Sequence, residues 1–201
     1  TGTDENVTVT RGGDWNDGGI WKDMHMHTWT KNHGPINTAW VWGFQSISKC
    51  NNILAQIDKG EYQGKAALIA QVRTMRALYY YFMMDLFGNI PIYTSVDANA
   101  GLPKNTPRIE VFNYIVKELN ECKTDLPTNV DASTYGLPTL YMAESLLAKL
   151  YLNAKVYTGT PKWDEAIAAC DVVISANKYD FSPYMSIFAP TNGPQIKETI
   201  F

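Results

Sequence analysis

From residue 36 onward apolar side chains recur every three or four positions, the spacing that gathers them on one face of an α-helix. The clearest case leads into the run RTMRALYYYFMMDLFGNIPIY, residues 73–93. Leu68, Val72, Met75, Tyr79, Phe82 and Leu86 alternate at spacings of four and three, which predicts a continuous stripe along a helix of about six turns. That stripe is read as core, with Arg73, Arg76, Tyr80 and Asp85 lying off it. Gly88 is placed to end the helix, and Pro91 prevents its return. An earlier helix is predicted over 36–57, turning Trp40, Phe44, Ile47, Cys50, Ile53, Leu54 and Ile57 inward. Another opens at Thr106-Pro107, a hydroxyl cap before a residue whose missing N–H costs nothing in the first turn, and closes at Leu126-Pro127. Its inner side is Ile109, Phe112, Ile115, Leu119 and Cys122. A further helix runs from Pro138 to about 157 with Leu140, Ala143, Leu147, Leu150 and Ala154 inward. The last repeats the Thr-Pro start at Thr160-Pro161 and carries Trp163, Ala166, Ile167, Cys170 and Val173.

Small and large residues alternate where consecutive helices must meet. Ala143, Leu147 and Tyr151 are followed by a short Gly/Pro turn and then by Trp163 and Ala166, the order found where one tetratricopeptide repeat runs into the next. The expected fold is therefore mainly α, a tetratricopeptide-like array of helix pairs over 36–201. Residues 1–35 differ in kind and are read as an N-terminal loop region of the same domain. Gly12-Gly13 and Gly18-Gly19 sit there beside Trp15, Trp21, Trp29 and all three histidines.

Composition narrows the partners. A net charge of −3 without a run of Lys or Arg gives no footprint for nucleic acid or for an anionic membrane surface. No segment approaches the roughly 18 apolar residues of a membrane span, and TGTDENVTVTRGGDW lacks the regions of a signal peptide. Cys50, Cys122 and Cys170 are too few and too scattered for a disulfide framework or a zinc site, and are expected as buried free thiols. The ending KETIF looks like the opening of a strand, which suggests a fragment.

Catalytic and metal signals are weak. Asp23-x-His25-x-His27 would put ligands on one side of an extended strand, but a single such pair with no third histidine outside the loop does not make a zinc site. Asp14-x-Asn16-Asp17-Gly18 has the composition of a calcium loop with its glycine one position early and no following Glu, so a turn is expected. No nucleophile elbow, P-loop or dinucleotide fingerprint occurs, and no cofactor is implied. Trp15, Trp21 and Trp29 admit two readings: a small satellite core, or a carbohydrate platform on which the C–H face of a sugar stacks while Asp4, Arg11, Asn32 and Asn37 bond its hydroxyls.

Arg76-Ala77 with the aromatic run to Phe82, then Leu86-Phe87-Gly88-Asn89-Ile90-Pro91, resembles the hallmark of the SusD/RagB family. The likeness continues through Arg108 to Pro127, Gly136-x-Pro138-Thr139, and Trp163-x-x-Ala166 to Tyr179, and includes RGGDWNDGG and His25-x-His27-x-Trp29. Leu137 departs from the arginine expected before Pro138. The resemblance covers the N-terminal portion of a longer family pattern. It implies a non-catalytic lipoprotein on the extracellular face of the outer membrane, touching the membrane only through a lipid anchor ahead of Thr1. Such a protein captures an oligosaccharide or polysaccharide, or in RagB-like members a peptide, for a SusC-like TonB-dependent transporter. The residues matching the family's ligand positions are Asp4, Arg11, Trp29 and Asn32, with Trp15 and Trp21 as a possible further platform. A tetratricopeptide adaptor that binds only protein is the alternative, and a hydrolase built on Asp23, His25 and His27 is a third reading.

Overall fold

A computed structural model of the chain describes residues 5–97 and 101–201. They group into two compact units, Thr1–Gln45 and Ser46–Phe201, with the boundary inside a long helix. No helix among the described residues is long and apolar enough to cross a membrane.

The first unit is less loop-like than its glycines suggest. Backbone bonds join Arg11 and Asp14 in both directions across a tight turn, where Gly12 takes a positive φ of 62°. A 3-10 turn, Asp17–Gly19, leads into helix α1, Ile20–Met26. His27 ends α1 in the left-handed conformation and donates its N–H to the Asp23 carbonyl. Thr28 adds a backbone bond to that carbonyl and a hydroxyl bond to the Asp23 side chain. Helix α2, Gly34–Lys59, then begins. Trp40 is exposed, contrary to its expected inward position.

The second unit contains the rest of α2, then α3 (Lys65–Phe87), a short antiparallel ladder of β1 (Ile90–Pro91) with β2 (Asn105–Thr106), and α4 (Arg108–Cys122). After these come α5 (Leu140–Leu152), α6 (Ala154–Thr158), α7 (Trp163–Ser175) and α8 (Tyr184–Ile187). Helix α3 packs on α4, and α5 on α7, giving the expected helix-pair, tetratricopeptide-like architecture. In α2, Ile47, Cys50 and Ile57 are buried as expected, while Ile53 is exposed.

Helix α3 turns a different face inward from the one its periodicity suggests. Leu68, Phe82 and Leu86 are exposed, Leu86 by 61%, and Val72, Met75 and Tyr79 are only half-buried. The buried side is Ala70, Thr74, Arg76, Ala77, Tyr80, Met83 and Met84. Small residues there let α4 approach closely, and the Thr74 hydroxyl is satisfied within the helix, donating to the Ala70 carbonyl at 2.8 Å. A helix apolar nearly all round offers several plausible stripes, and the one interrupted by Thr, Arg and a Tyr hydroxyl is the real core. Gly88 ends α3 as expected, at φ 73° and ψ −100°, a conformation suited to glycine.

Helix starts differ in chemistry from the Thr-Pro reading. Thr106 belongs to β2 and Pro107 is the cap residue of α4; the Asn89 side chain instead accepts the Arg108 N–H at 2.8 Å. Likewise Lys162, not Thr160, precedes α7. Thr139 does cap α5, accepting from the Met142 N–H. Phe112, Ile115, Leu119 and Cys122 of α4 are buried as expected, while Ile109 is exposed. The helix expected to run to 157 breaks at Asn153 and resumes as α6, with Ala143, Leu147, Leu150 and Ala154 buried. On α7 only Ala166 and Ala169 are fully buried; Trp163, Ile167 and Cys170 face outward. Close packing on α5 selects the small residues, so the large ones are left on the opposite side. Ile200 and Phe201 form no strand.

Candidate functional site

The first unit carries the sequence-predicted ligand residues, except Asp4, which lies outside the described residues. Trp29 sits in the connection between α1 and α2 with 42% of its surface exposed, its ring 5.2 Å from that of His27 and tilted by 55°. That contact braces one side of the indole and leaves the ring accessible. Asn32 is exposed in the same connection, its N–H bonded to the Thr30 hydroxyl at 3.3 Å. Arg11 is exposed in the turn with Asp14. No hydrogen bond or ring contact joins Arg11 to Trp29 or Asn32 among the described residues. Asn37 lies on α2, where it lines a shallow depression with Thr38, Val41, Trp42 and Gln45.

Trp15 and Trp21 form an edge-to-face pair with centroids 5.9 Å apart. The Trp21 indole N–H donates to Asp17 Oδ2 at 2.6 Å, which ties the ring to the turn before its own helix. Trp15 is 53% exposed and holds a left-handed backbone, φ 60°, unusual for a bulky residue. The pair is a local brace as much as a surface. Asp17 and His27 entered the sequence reading as members of a calcium-like stretch and of a histidine pair, not as the groups that hold Trp21 and Trp29.

The Asp23, His25 and His27 group does not take the extended form expected of it. Asp23 and His25 lie within α1, His27 is its cap, and Asp23 is engaged by Thr28. Residues two apart on a helix point to different sides. Among the described residues no group of three potential ligands is placed to hold a metal ion. The calcium-like stretch is a turn and a 3-10 segment, as expected.

A second polar constellation lies largely buried in the unit 46–201, and of its members the sequence reading placed Arg73, Arg76 and Tyr80 off the core stripe. Arg76 Nη1 donates to Asn51 Oδ1 at 2.8 Å and Nη2 to Glu118 Oε2 at 2.5 Å. Arg73 reaches both oxygens of Glu118, at 2.7 and 3.3 Å, and also Glu121 at 2.7 Å. The Asn51 amide and the Tyr80 hydroxyl both donate to the Tyr93 carbonyl at 2.8 Å, and the Tyr93 N–H returns a bond to Tyr80 at 2.7 Å. Burial pushes the Glu118 carboxyl up, but the two guanidiniums outweigh it and hold the group below the usual range. Burial pushes the Tyr80 phenol up to about 12. Glu118 thus stays ionised and Tyr80 protonated at neutral pH, and of the Arg76 guanidinium only Nε is buried without a partner. The cluster links α2, α3, α4 and the strand segment after Gly88, which is the work of a clamp. The signal for it was present in the paired spacing Arg73/Arg76 and Glu118/Glu121, three apart on successive helices.

Fold and exposed rings together describe a helix-pair protein that presents aromatic and polar side chains on its N-terminal segment. The chain belongs to the SusD-like family, described as starch-binding and associating with the outer membrane, whose pattern matches residues 3–152. Starch-binding protein SusD of Bacteroides thetaiotaomicron is 32% identical over 158 residues, 77% of this chain and 28% of that protein. The chain therefore spans less than a third of the length of this curated relative. A SusD-like protein of Bacteroides fragilis superposes with a TM-score of 0.77 at 21% identity, over 90% of this chain and 36% of that one. Surface glycan-binding protein A of Bacteroides thetaiotaomicron, solved with laminarihexaose, gives 0.63 at 24% identity, over 76% and 32%. At these identities the two structures show a shared fold.

Proposed function

We propose that the chain contributes to non-catalytic glycan binding at the outer membrane, with the Trp29 ring as the stacking surface and Asn32, Arg11 and Asp4 as hydroxyl partners. The observation that carries this is Trp29 itself, an indole exposed on a loop and braced from one side by His27. A sugar offers an apolar C–H face that matches such a ring, and amide or guanidinium groups beside it match the hydroxyls. The relatives named for starch and laminarihexaose support an oligosaccharide as the ligand class. In the same reading the protein is lipid-anchored on the extracellular face and delivers its ligand to a SusC-like TonB-dependent transporter. Trp15 and Trp21 serve mainly to shape the loop, since the Trp21 N–H is engaged by Asp17.

One observation favours a protein-interaction reading beside this. Trp163, Ile167 and Ile174 form an exposed apolar line on α7 opposite its buried alanines. Affinity electrophoresis of the full-length protein in amylopectin and laminarin gels, with an unrelated peptide mixture as competitor, separates the readings. Trp29→Ala is expected to weaken glycan binding roughly tenfold, about 1.4 kcal/mol, with the melting temperature nearly unchanged. Unaltered retention, or a loss that follows unfolding, would return Trp29 to a structural role.

A further inference from the structure

His33 is the buried residue in a connection whose other side chains, from Thr28 to Asn32, are exposed; it shows 7% of its surface. Its ring Nε2 lies 3.1 Å from the carbonyl oxygen of Ile20, the first residue of α1. A carbonyl only accepts, so Nε2 carries the proton and donates, and Nδ1 is left buried without a partner. The backbone of the same residue is also engaged at both ends. Its N–H donates to the Thr30 carbonyl at 3.1 Å, and its carbonyl accepts the Asn37 N–H at 3.0 Å in the first turn of α2.

At the other end of the connection, Thr28 is held by the Asp23 carbonyl and carboxylate. The stretch carrying Trp29 and Asn32 is thus strung between two tethers, and the His33 ring is the one that reaches from α2 back to the start of α1. We propose that His33 is the positioning residue for the Trp29–Asn32 stretch, fixing where its exposed ring and amide stand through the single bond from Nε2 to Ile20. The relevance of that placement to a ligand rests on the glycan reading above; the placement itself does not.

Two variants of the full chain separate the bond from the packing. His33→Phe keeps a ring of similar bulk and lacks the donor, and His33→Gln keeps an N–H at a similar reach and lacks the ring. Trypsin has an exposed target at Lys31 within the stretch, and the exposed Arg11 serves as an internal control. Loss of one buried hydrogen bond raises the open population of a local segment roughly three- to tenfold, so cleavage after Lys31 in His33→Phe should accelerate by that factor while cleavage after Arg11 and the melting temperature hold. His33→Gln should cut at the native rate. Native cleavage in His33→Phe, or equal acceleration in both variants, would overturn the proposal. Acceleration in His33→Phe alone, alongside unchanged glycan retention in Trp29→Ala, would uphold the positioning and dismiss the glycan platform.

Discussion

Arg76 offers the sharpest test of how the helical unit is held together. Its guanidinium is buried and bonds Glu118 and Asn51, so Arg76→Met removes a charge and two donors while keeping an unbranched side chain of good helix propensity. Breaking a buried ion pair from one side typically costs 3–5 kcal/mol, because the partner charge stays behind in a poorly solvated place. Glu118 keeps its two bonds to Arg73, which puts the expected cost near the lower limit, about 3 kcal/mol. For a chain of this size that corresponds to a fall of roughly 6–12 °C in melting temperature. Arg73→Met should cost less, since Arg73 is more exposed and half of its pairing is with the solvent-facing Glu121. The double variant Arg76→Met/Glu118→Met should cost less than the sum of its singles, because both singles remove the same Arg76–Glu118 bond. Melting followed by far-ultraviolet circular dichroism measures these three and the Glu118→Met single. A shift under about 2 °C for Arg76→Met, or a double variant as destabilised as the sum of its singles, would refute the clamp.

The same cluster predicts an acid limit. Glu118 has a folded-state pKa below its ordinary 4.5, so its contribution is complete above the unfolded value and is lost as pH falls through the folded one. The melting-temperature difference between native chain and Glu118→Gln should therefore be flat at neutral pH and shrink below about pH 4.5; a difference constant down to pH 3 would contradict it. The thiols make a second, independent check. Cys170 is exposed while Cys50 and Cys122 are buried with their pKa values raised chiefly by that burial, so maleimide should label Cys170 quickly and the other two only on unfolding. Mass mapping after brief labelling reads the outcome.

How far the sequence could be read depends on how many faces of a helix were plausible. Helix α4 has a polar side, so Phe112, Ile115, Leu119 and Cys122 could be assigned to the core in advance, and they are buried. Helix α3 is apolar nearly all round, and the choice among its faces turned on whether Thr74, Arg76 and the Tyr80 hydroxyl could be satisfied inside. Ala70, Glu118, Asn51 and Tyr93 supply their partners, leaving only Arg76 Nε without one, and all but Ala70 lie outside α3. No periodicity reports such partners. The same limit appears on α7, where Ala166 and Ala169 are buried and the larger Trp163 and Ile167 are not. Hydrophobicity alone ranks those residues the wrong way round; close approach to α5 ranks them correctly. At the candidate site the ring residues were legible as types, whereas the contacts of His27 with Trp29, Asp17 with Trp21 and His33 with Ile20 became visible only through the turns that bring them near.

This division bears on what the family likeness can carry. The run from Arg73 to Pro91 is occupied by structural duties: Arg76 and Tyr80 in the clamp, Gly88 in a backbone turn, Asn89 as the acceptor for the first N–H of α4, Ile90 buried in the ladder. Each of these bonds is made to the protein itself, so a likeness built on them reports the scaffold and is indifferent to the ligand. Of the residues proposed to meet a glycan, Trp29 and Asn32 lie elsewhere, on the connection between α1 and α2, where they are exposed and few of their atoms are committed to the fold. On the glycan reading proposed above, substitution at those positions is expected to change what is bound with little effect on stability, and substitution in the hallmark run to do the reverse. Two proteins can therefore share the hallmark helix and the superposition reported above while recognising different sugars. On the reading proposed here, the chemistry that separates them within this chain lies at Trp29, at its neighbours, and in the tether proposed to set where its ring stands.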